Sequence, residues 1–266
     1  MSERNASFRV DEQGFHCLRV PSFHYGSAGL APFESSVVQE LVVRMFVNGQ
    51  QVDTLTCSPW NVEELTYGRL YFDGIINQAS DITDMRIDVD AGLVDVLISD
   101  MMGAASGSLL RERSVLSYVT PRWIIDNMAR FEANSGLFRR TGGMHGAAIA
   151  DAGGFLARFD DVGRHNAMDK LVGWCLKNRV DTSDKVVLFS GRVPMGIIDR
   201  VVKLDAYAIV SPGAPTDMSI KAADQNQIML VGFAKNGEFN IYAHEELLSD
   251  GAEEERSRCL RAVNGI

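Results

Sequence analysis

From residue 145 onward the chain repeats one pattern: a short apolar run, a turn marked by glycine, proline or serine, then a stretch with helical spacing. The apolar runs fall at 147–150, 155–159, 186–189, 206–210, 228–233 and 239–242, and the helical stretches at 167–178, 197–203 and 217–224. Such short strands alternating with helices can bury their apolar faces in few ways. The order predicts a mixed sheet with helices packed on its faces, an α/β (α+β mixed) fold.

Upstream, the first element expected is a hairpin. Alternating residues over 40–47 meet Asn48-Gly49, a strong hairpin signal, and 51–57 supplies the returning strand. Ser58 and Pro59 then read as the N-cap and first-turn proline of a helix with Val62, Leu65, Leu70 and Tyr71 on its apolar face, stopping at Gly74. A second hairpin is expected over 82–99, turning at Asp90-Ala91-Gly92, and Thr120-Pro121 opens a helix to about residue 133. Between them, 100–113 carries Gly103, Ser106, Gly107 and Ser108 without periodicity and reads as a mobile loop, of a length that is often functional. The acidic stretch 245–258 reads as a solvated terminal helix.

A chain of 266 residues with 46% hydrophobic content can form one large or two modest domains. The apolar runs are all shorter than ten residues, against the roughly 18 needed to span a bilayer, and the N-terminus lacks the basic-then-apolar order of a signal peptide. Cytoplasm is the expected location. A net charge of −9 speaks against nucleic acid or an anionic membrane as partner, so an anionic ligand needs a local cluster of cations. Cys17, Cys57, Cys175 and Cys259 form no C-x-x-C pair, which leaves neither a zinc knuckle nor a dithiol motif and implies free thiols.

Chemistry concentrates in four places. Thr141-Gly142-Gly143-Met144-His145 precedes a strand, and reads either as a tight turn or as a backbone cradle for an anion. The run from Asp160 to Lys170 gathers Arg164, His165 and Lys170 with Asp160, Asp161 and Asp169 at a helix N-terminus, where free N–H groups favour anions. There Arg164 suits a bidentate clamp, His165 a proton donor, and Asn166 a helix cap; the alternative is that the charges pair with one another and anchor the helix. Ser190-Gly191-Arg192 and the stretch Ser211 to Thr216 each follow a strand and precede a helix, the position at which open α/β sheets bind ligands. An acid–base pair of His145 or His165 with Asp161 is a weaker hydrolase reading, since nothing places a nucleophile beside it. The zinc deaminase signature, G-x-S-x-G, the P-loop and G-x-G-x-x-G are all missing.

Val47-Asn48-Gly49, Cys57-Ser58-Pro59, Asp73-Gly74-Ile75-Ile76, Thr141 to His145, the run Asp161-Val162-Gly163-Arg164-His165-Asn166-Ala167-Met168-Asp169-Lys170, Ser190-Gly191-Arg192 and Ala214-Pro215-Thr216 together resemble the FdhD family, the formate dehydrogenase accessory sulfurtransferases. The resemblance implies an N-terminal extension (1–35), a small domain with two hairpins and a helix (36–120), a cytidine-deaminase-like domain without zinc (121–245) and a tail (246–266), assembled as a homodimer. It implies binding of the bis(molybdopterin guanine dinucleotide) molybdenum cofactor, sulfur received from a cysteine desulfurase, and delivery to formate dehydrogenase. Cofactor-binding residues carried over are Thr141, Gly142, Gly143, His145, Gly163, Arg164, His165, Asn166, Ser190, Gly191, Arg192, Ala214, Pro215 and Thr216. A stretch near the C-terminus, Phe233, Ala234, Lys235, Asn236, Gly237 and Glu238, joins them, with Lys235 where the family usually has arginine.

Two departures stand out. Family members carry a C-x-x-C in the loop corresponding to 100–120, and this chain has no cysteine there. Serine or threonine cannot replace it, because an oxygen does not carry persulfide sulfur. Cys57 is the nearest surviving thiol, and a buried structural role competes with a reactive one for it. Val193-Pro194-Met195-Gly196 also replaces a usual serine and glutamate. The resemblance therefore supports either a sulfur carrier or a cofactor-binding chaperone or regulator that has lost sulfur transfer.

Overall fold

The computed structural model describes residues 7–10, 16–99 and 113–250. In chain order the strands are β1 (Ser7–Val10), β2 (His16–Gly26), β3 (Gly29–Val38), β4 (Leu41–Val47) and β5 (Gln50–Cys57), followed by helix α1 (Val62–Phe72) and strands β6 (Ile82–Asp88) and β7 (Leu93–Ile98). Helices α2 (Pro121–Ala133) and α3 (Gly136–Thr141) lead into β8 (His145–Asp151), β9 (Gly154–Asp161), α4 (Arg164–Lys177), β10 (Val186–Phe189), α5 (Met195–Lys203), β11 (Ala208–Val210), α6 (Asp217–Gln225), β12 (Met229–Lys235) and β13 (Glu238–Ala243). Both expected hairpins and every strand and helix expected between residues 145 and 243 are present, with ends shifted by a few residues.

The larger sheet has the order β13-β12-β11-β10-β8-β9, parallel from β10 to β12 and antiparallel elsewhere. Alternate residues divide between its faces, as the two-residue strand period requires. Ile149, Val187, Phe189, Ile209 and Leu230 pack under α4, α5 and α6. Ala148, Leu188, Val210 and Val231 pack under Ile124, Met128 and Phe131 of α2. The result is a mixed three-layer arrangement. The smaller sheet, β5-β4-β7-β6, carries α1 on the face formed by Val43, Met45, Val94 and Val96.

The two sheets are joined through α1 and α4, which cross at glycine. A Cβ on Gly68 would stand 1.8 Å from the Asp169 carbonyl oxygen, and one on Gly173 1.9 Å from that of Glu64, so the two backbones touch directly. Arg200 and Asp169 seal one side of this crossing.

Four expectations change. Helix α1 starts at Val62 rather than Pro59, behind Asn61 in the left-handed region. Ser58 is not its cap: the hydroxyl accepts the Val162 N–H at 3.2 Å, because the chain bends here to meet the end of β9. Residues 17–38, expected to lie outside the first element, pair as the long ribbon β2–β3, whose Phe23, Tyr25 and Leu30 stand exposed. Pro21 and Pro32, which lack an N–H for a ladder, lie within it. The described part of the acidic stretch after residue 244 gives a 3-10 turn, Glu245–Leu247, since burial of Leu247 and the bond from Tyr207 Oη to its carbonyl at 2.8 Å hold the chain against the body. Residues 251–258 of that stretch, and 100–112 of the expected loop, lie outside the described residues. Arg113, at the end of that loop, pairs with Asp205 at 2.7 Å.

Candidate functional site

The strand ends of β10 and β11 lie side by side, and β8, antiparallel to β10, begins at the same edge. His145 opens β8 and pairs with Asp161, the last residue of β9. Ser190 follows β10. Its hydroxyl accepts the Gly146 N–H at 2.9 Å and lies 3.5 Å from His145 Nδ1, while its own N–H donates to the Gly146 carbonyl at 3.0 Å.

The neighbouring loops are tied backbone to backbone. A Cβ on Gly213 would come within 2.7 Å of the Gly191 carbonyl, so only glycine permits the approach. The Val193 N–H donates to the Ala214 carbonyl at 3.0 Å, and Val193 bridges Pro215. Phe233 and Ala234 stitch β12 to the same loop through bonds to the Gly213 carbonyl at 3.2 Å and the Ser211 carbonyl at 3.0 Å. Phe233 takes a φ of 53°, a strained value for a bulky residue. Thr216 caps α6, accepting the Ser219 N–H.

The charged run from Asp160 to Lys170 divides into two groups. The first is interior. Asp161 is wholly buried and receives Lys170 Nζ at 2.6 Å, the Ser58 N–H at 3.0 Å, the Gly163 N–H at 2.8 Å and Asn166 Nδ2 at 3.0 Å. Asn166 does not cap α4, because the N-cap is Gly163; its amide instead reaches across to the Thr56 carbonyl at 2.7 Å. Asp169 receives Arg200 in bidentate fashion at 2.6 and 2.9 Å, and Arg200 stacks 3.9 Å from the Phe72 ring. For these residues the anchoring alternative holds.

The second group, Arg164 and His165, is half-buried at the edge. Arg164 has no hydrogen bond or ion pair to any described residue. Burial holds the His145 imidazole below its ordinary range, and the Arg164 charge adds to this against the opposing pull of Asp161. His165 is lowered too, by burial first and then by Arg200, Arg164 and Arg69. A guanidinium left without a partner among the described residues, close enough to both imidazoles to lower them, can accept an anion. Arg192 and Lys235 are likewise without a partner among the described residues.

A cleft of about 770 Å³ opens beside this edge, between α2, α3 and the start of β8. Phe131, Phe138, Met144 and the stem of Arg158 give it apolar walls, and His145, Ser190 and Asp160 face into it. Thr141, Gly142 and Gly143 are not part of the lining. The Thr141 hydroxyl donates to the Leu137 carbonyl at 2.8 Å, and Gly142 is the left-handed cap of α3. Ala234 to Glu238 instead line a hollow of about 260 Å³ on the far side of α2, sharing Ala129 and Glu132 with the cleft. Arg158 and Phe138 escaped the sequence reading. The available signal was the polar pair Arg158 and Asp160 on one face of an otherwise apolar strand.

The thiols stand apart. Cys57 is fully buried and its pKa is pushed up to about 12 by burial and then by Asp161, against Lys170. Burial does the same to Cys175, to about 12. Cys17 is buried, and Cys259 lies outside the described residues. Among the described residues no group of three or more His, Cys, Asp or Glu side chains is arranged to hold a metal ion, and no helix is long and apolar enough to cross a membrane.

Fold and edge together define a mixed α/β protein with a cleft beside the ends of its central strands. The FdhD/NarQ family model matches residues 38–117 and 99–249, and the chain belongs to this family. The sulfur carrier protein FdhD of Staphylococcus aureus strain Newman is 33% identical over 256 residues, covering 88% of this chain and 97% of that protein. The same protein from strain COL matches equally. The crystal structure of a proposed formate dehydrogenase accessory protein from Desulfotalea psychrophila superimposes with a TM-score of 0.75 at 21% identity, covering 87% of this chain and 99% of that one, and shares the fold.

Proposed function

We propose that this chain is a cytoplasmic accessory protein for formate dehydrogenase that binds the bis(molybdopterin guanine dinucleotide) molybdenum cofactor as its cargo. Residues 121–245 are read as its cytidine-deaminase-like domain, 36–120 as a smaller domain beside it, and the working unit as a homodimer. The observation that carries the proposal is Arg164 at the start of α4, half-buried, without a hydrogen bond or ion pair to any described residue, and with a charge felt by both His145 and His165. Guanidinium groups grip phosphate through two parallel N–H donors, and the adjoining cleft of about 770 Å³ suits one nucleotide arm of the cargo. The local cations oppose the overall net charge of −9, so they are placed against the field of the whole protein.

Calorimetric titration with GDP tests this. Wild type is expected to bind, Arg164→Ala to bind at least tenfold more weakly, and Lys235→Ala to weaken less, since Lys235 faces the second hollow. Failure of wild type to bind GDP removes the proposal.

For sulfur, the family relationship favours receipt from a cysteine desulfurase, whereas the thiols favour a binding role without transfer. Cys57 and Cys175, with pKa values near 12, offer almost no thiolate at neutral pH, and 100–120 contains no cysteine. We adopt the second reading: the chain holds the cofactor and does not itself carry sulfur. Incubation with a desulfurase and cysteine, followed by intact-mass measurement, is expected to add no 32-dalton increment (~32, one sulfur atom on a thiol). A persulfide on any cysteine restores the sulfur-carrier reading.

A further inference from the structure

We propose that the tip of the β2–β3 ribbon is the surface through which two copies of this chain join, each covering the apolar face of the other's ribbon; this rests on the homodimer reading above. β2 and β3 pair without a register shift from Cys17 opposite Val38 to Gly26 opposite Gly29. Opposed residues share a face, and successive pairs alternate between faces. Cys17 and Val38 therefore stand on the same face as Pro21, Phe23, Tyr25, Leu30 and Pro32. At the base this face is covered, with Cys17 buried beside Leu137 and Met144 and Val38 packed against them. Toward the tip it is bare: Phe23, Tyr25 and Leu30 keep 64, 78 and 68% of their surface exposed, and both prolines are exposed. A two-stranded ribbon has no second layer with which to shield such a face.

Charge, area and symmetry favour a second copy as the cover. Between Val20 and Phe33 there is no Asp, Glu, Lys or Arg, whereas the whole chain has a net charge of −9. Two like-charged copies repel, and an uncharged tip is where they approach at least cost. The five bare side chains expose about 500 Å² per copy, so two ribbons face to face bury about 1,000 Å², the lower limit for a specific interface. The face is also self-complementary. Phe23 and Tyr25 lie on β2, Leu30 and Pro32 on β3, so a twofold axis sets the aromatic row of each copy on the aliphatic row of the other. Counted in twos from the closing pair Gly26 and Gly29, both prolines fall on pairs that exchange no ladder hydrogen bonds, and their missing N–H groups belong to the outer edges. Those edges are thereby poor templates for a further strand, and the contact is made by the face.

Sedimentation velocity on the full chain tests this. Wild type is expected to be a dimer. The triple variant Phe23→Thr, Tyr25→Thr and Leu30→Thr keeps strand-forming residues at exposed positions, and is expected to dissociate at least ~100-fold more readily with an unchanged far-UV spectrum. Leu97→Thr removes an exposed leucine from β7 and is expected to leave the dimer intact. In wild type, the amides of 20–33 are expected to exchange about tenfold more slowly in the dimer than after dilution to the monomer, a measurement that needs no variant. A dimer that persists in the triple variant, or exchange over 20–33 that is equally fast in dimer and monomer, overturns the ribbon as the interface and leaves the homodimer standing. A wild type that stays monomeric at ~100 μM overturns both and leaves the face to a partner of another sequence.

Discussion

Lys170 Nζ lies 2.6 Å from Asp161 Oδ2, and both side chains are wholly buried. The pair joins the end of β9 to the second turn of α4, and Asp161 also receives the Ser58 N–H across 103 residues, so one carboxylate fastens the two sheets. Burying an ion pair gains little over an apolar pair of the same size, but removing one member strands the other charge. Lys170→Met is therefore expected to cost about 3–5 kcal/mol, read from urea denaturation, and the loss should exceed that of the double variant with Asp161→Asn. An unchanged midpoint for Lys170→Met would contradict the interior role.

The crossing of α1 on α4 makes a separate demand. Alanine at Gly68 or Gly173 places a methyl inside the partner helix backbone, at 1.8 and 1.9 Å from carbonyl oxygens. Each substitution is expected to destabilise by at least ~1–3 kcal/mol. Because these carbonyls belong to Asp169 and Glu64, Gly68→Ala should also disturb the Asp169–Arg200 pair, visible as a shifted Arg200 Nε resonance.

Protonation gives a third expectation. His145 and His165 hold pKa values below the ordinary 6.5, so the unfolded chain binds more protons than the native one as the pH falls past that value. Their effect on stability is absent above about 6.5, grows as a penalty on acidification toward the native pKa values, and then levels. His244 has the opposite sign: burial lowers it, but hydrogen bonds to Glu246 and the Asp224 carbonyl, with the charges of both carboxylates, together raise it, so its contribution is present below 6.5 and lost as pH rises through its native pKa. Imidazole proton titration by NMR should place His145 and His165 below, and His244 above, the free value.

Thiol reactivity offers a fourth check. With pKa values of about 12, Cys57 and Cys175 hold roughly one part in ten thousand as thiolate near pH 8. Iodoacetamide should leave both unmodified in the native protein and label both in urea. Native labelling of Cys57 at the rate of a free thiol would reopen it as a sulfur-bearing residue.

Much of the architecture was legible without coordinates. The Asn48-Gly49 turn, the Thr120 and Thr216 caps and the apolar runs after residue 145 are signals carried by neighbouring residues, and each produced its element. The ribbon over 17–38 was not foreseen; its Pro21 and Pro32 lack an N–H for a ladder and sit where β2 and β3 are paired only with each other. The start of α1 was misplaced: Ser58 and Pro59 have capping chemistry, yet the Ser58 hydroxyl bonds the Val162 N–H, 104 residues away.

The sequence by itself determined the family and most of the elements after residue 40, because periodicity, turn chemistry and motif spacing are local. Tertiary structure alone decided how the residues of one dense motif divide. Asp161, Asn166, Asp169 and Lys170 turn inward to join the sheets, while Arg164 and His165 remain at the edge. That division depends on partners such as the Thr56 carbonyl, 110 residues from Asn166, and on the close contact of two glycine backbones. A charge pattern read along the chain states which groups are available; burial and long-range partners determine which are consumed in the interior and which stay free to meet a ligand.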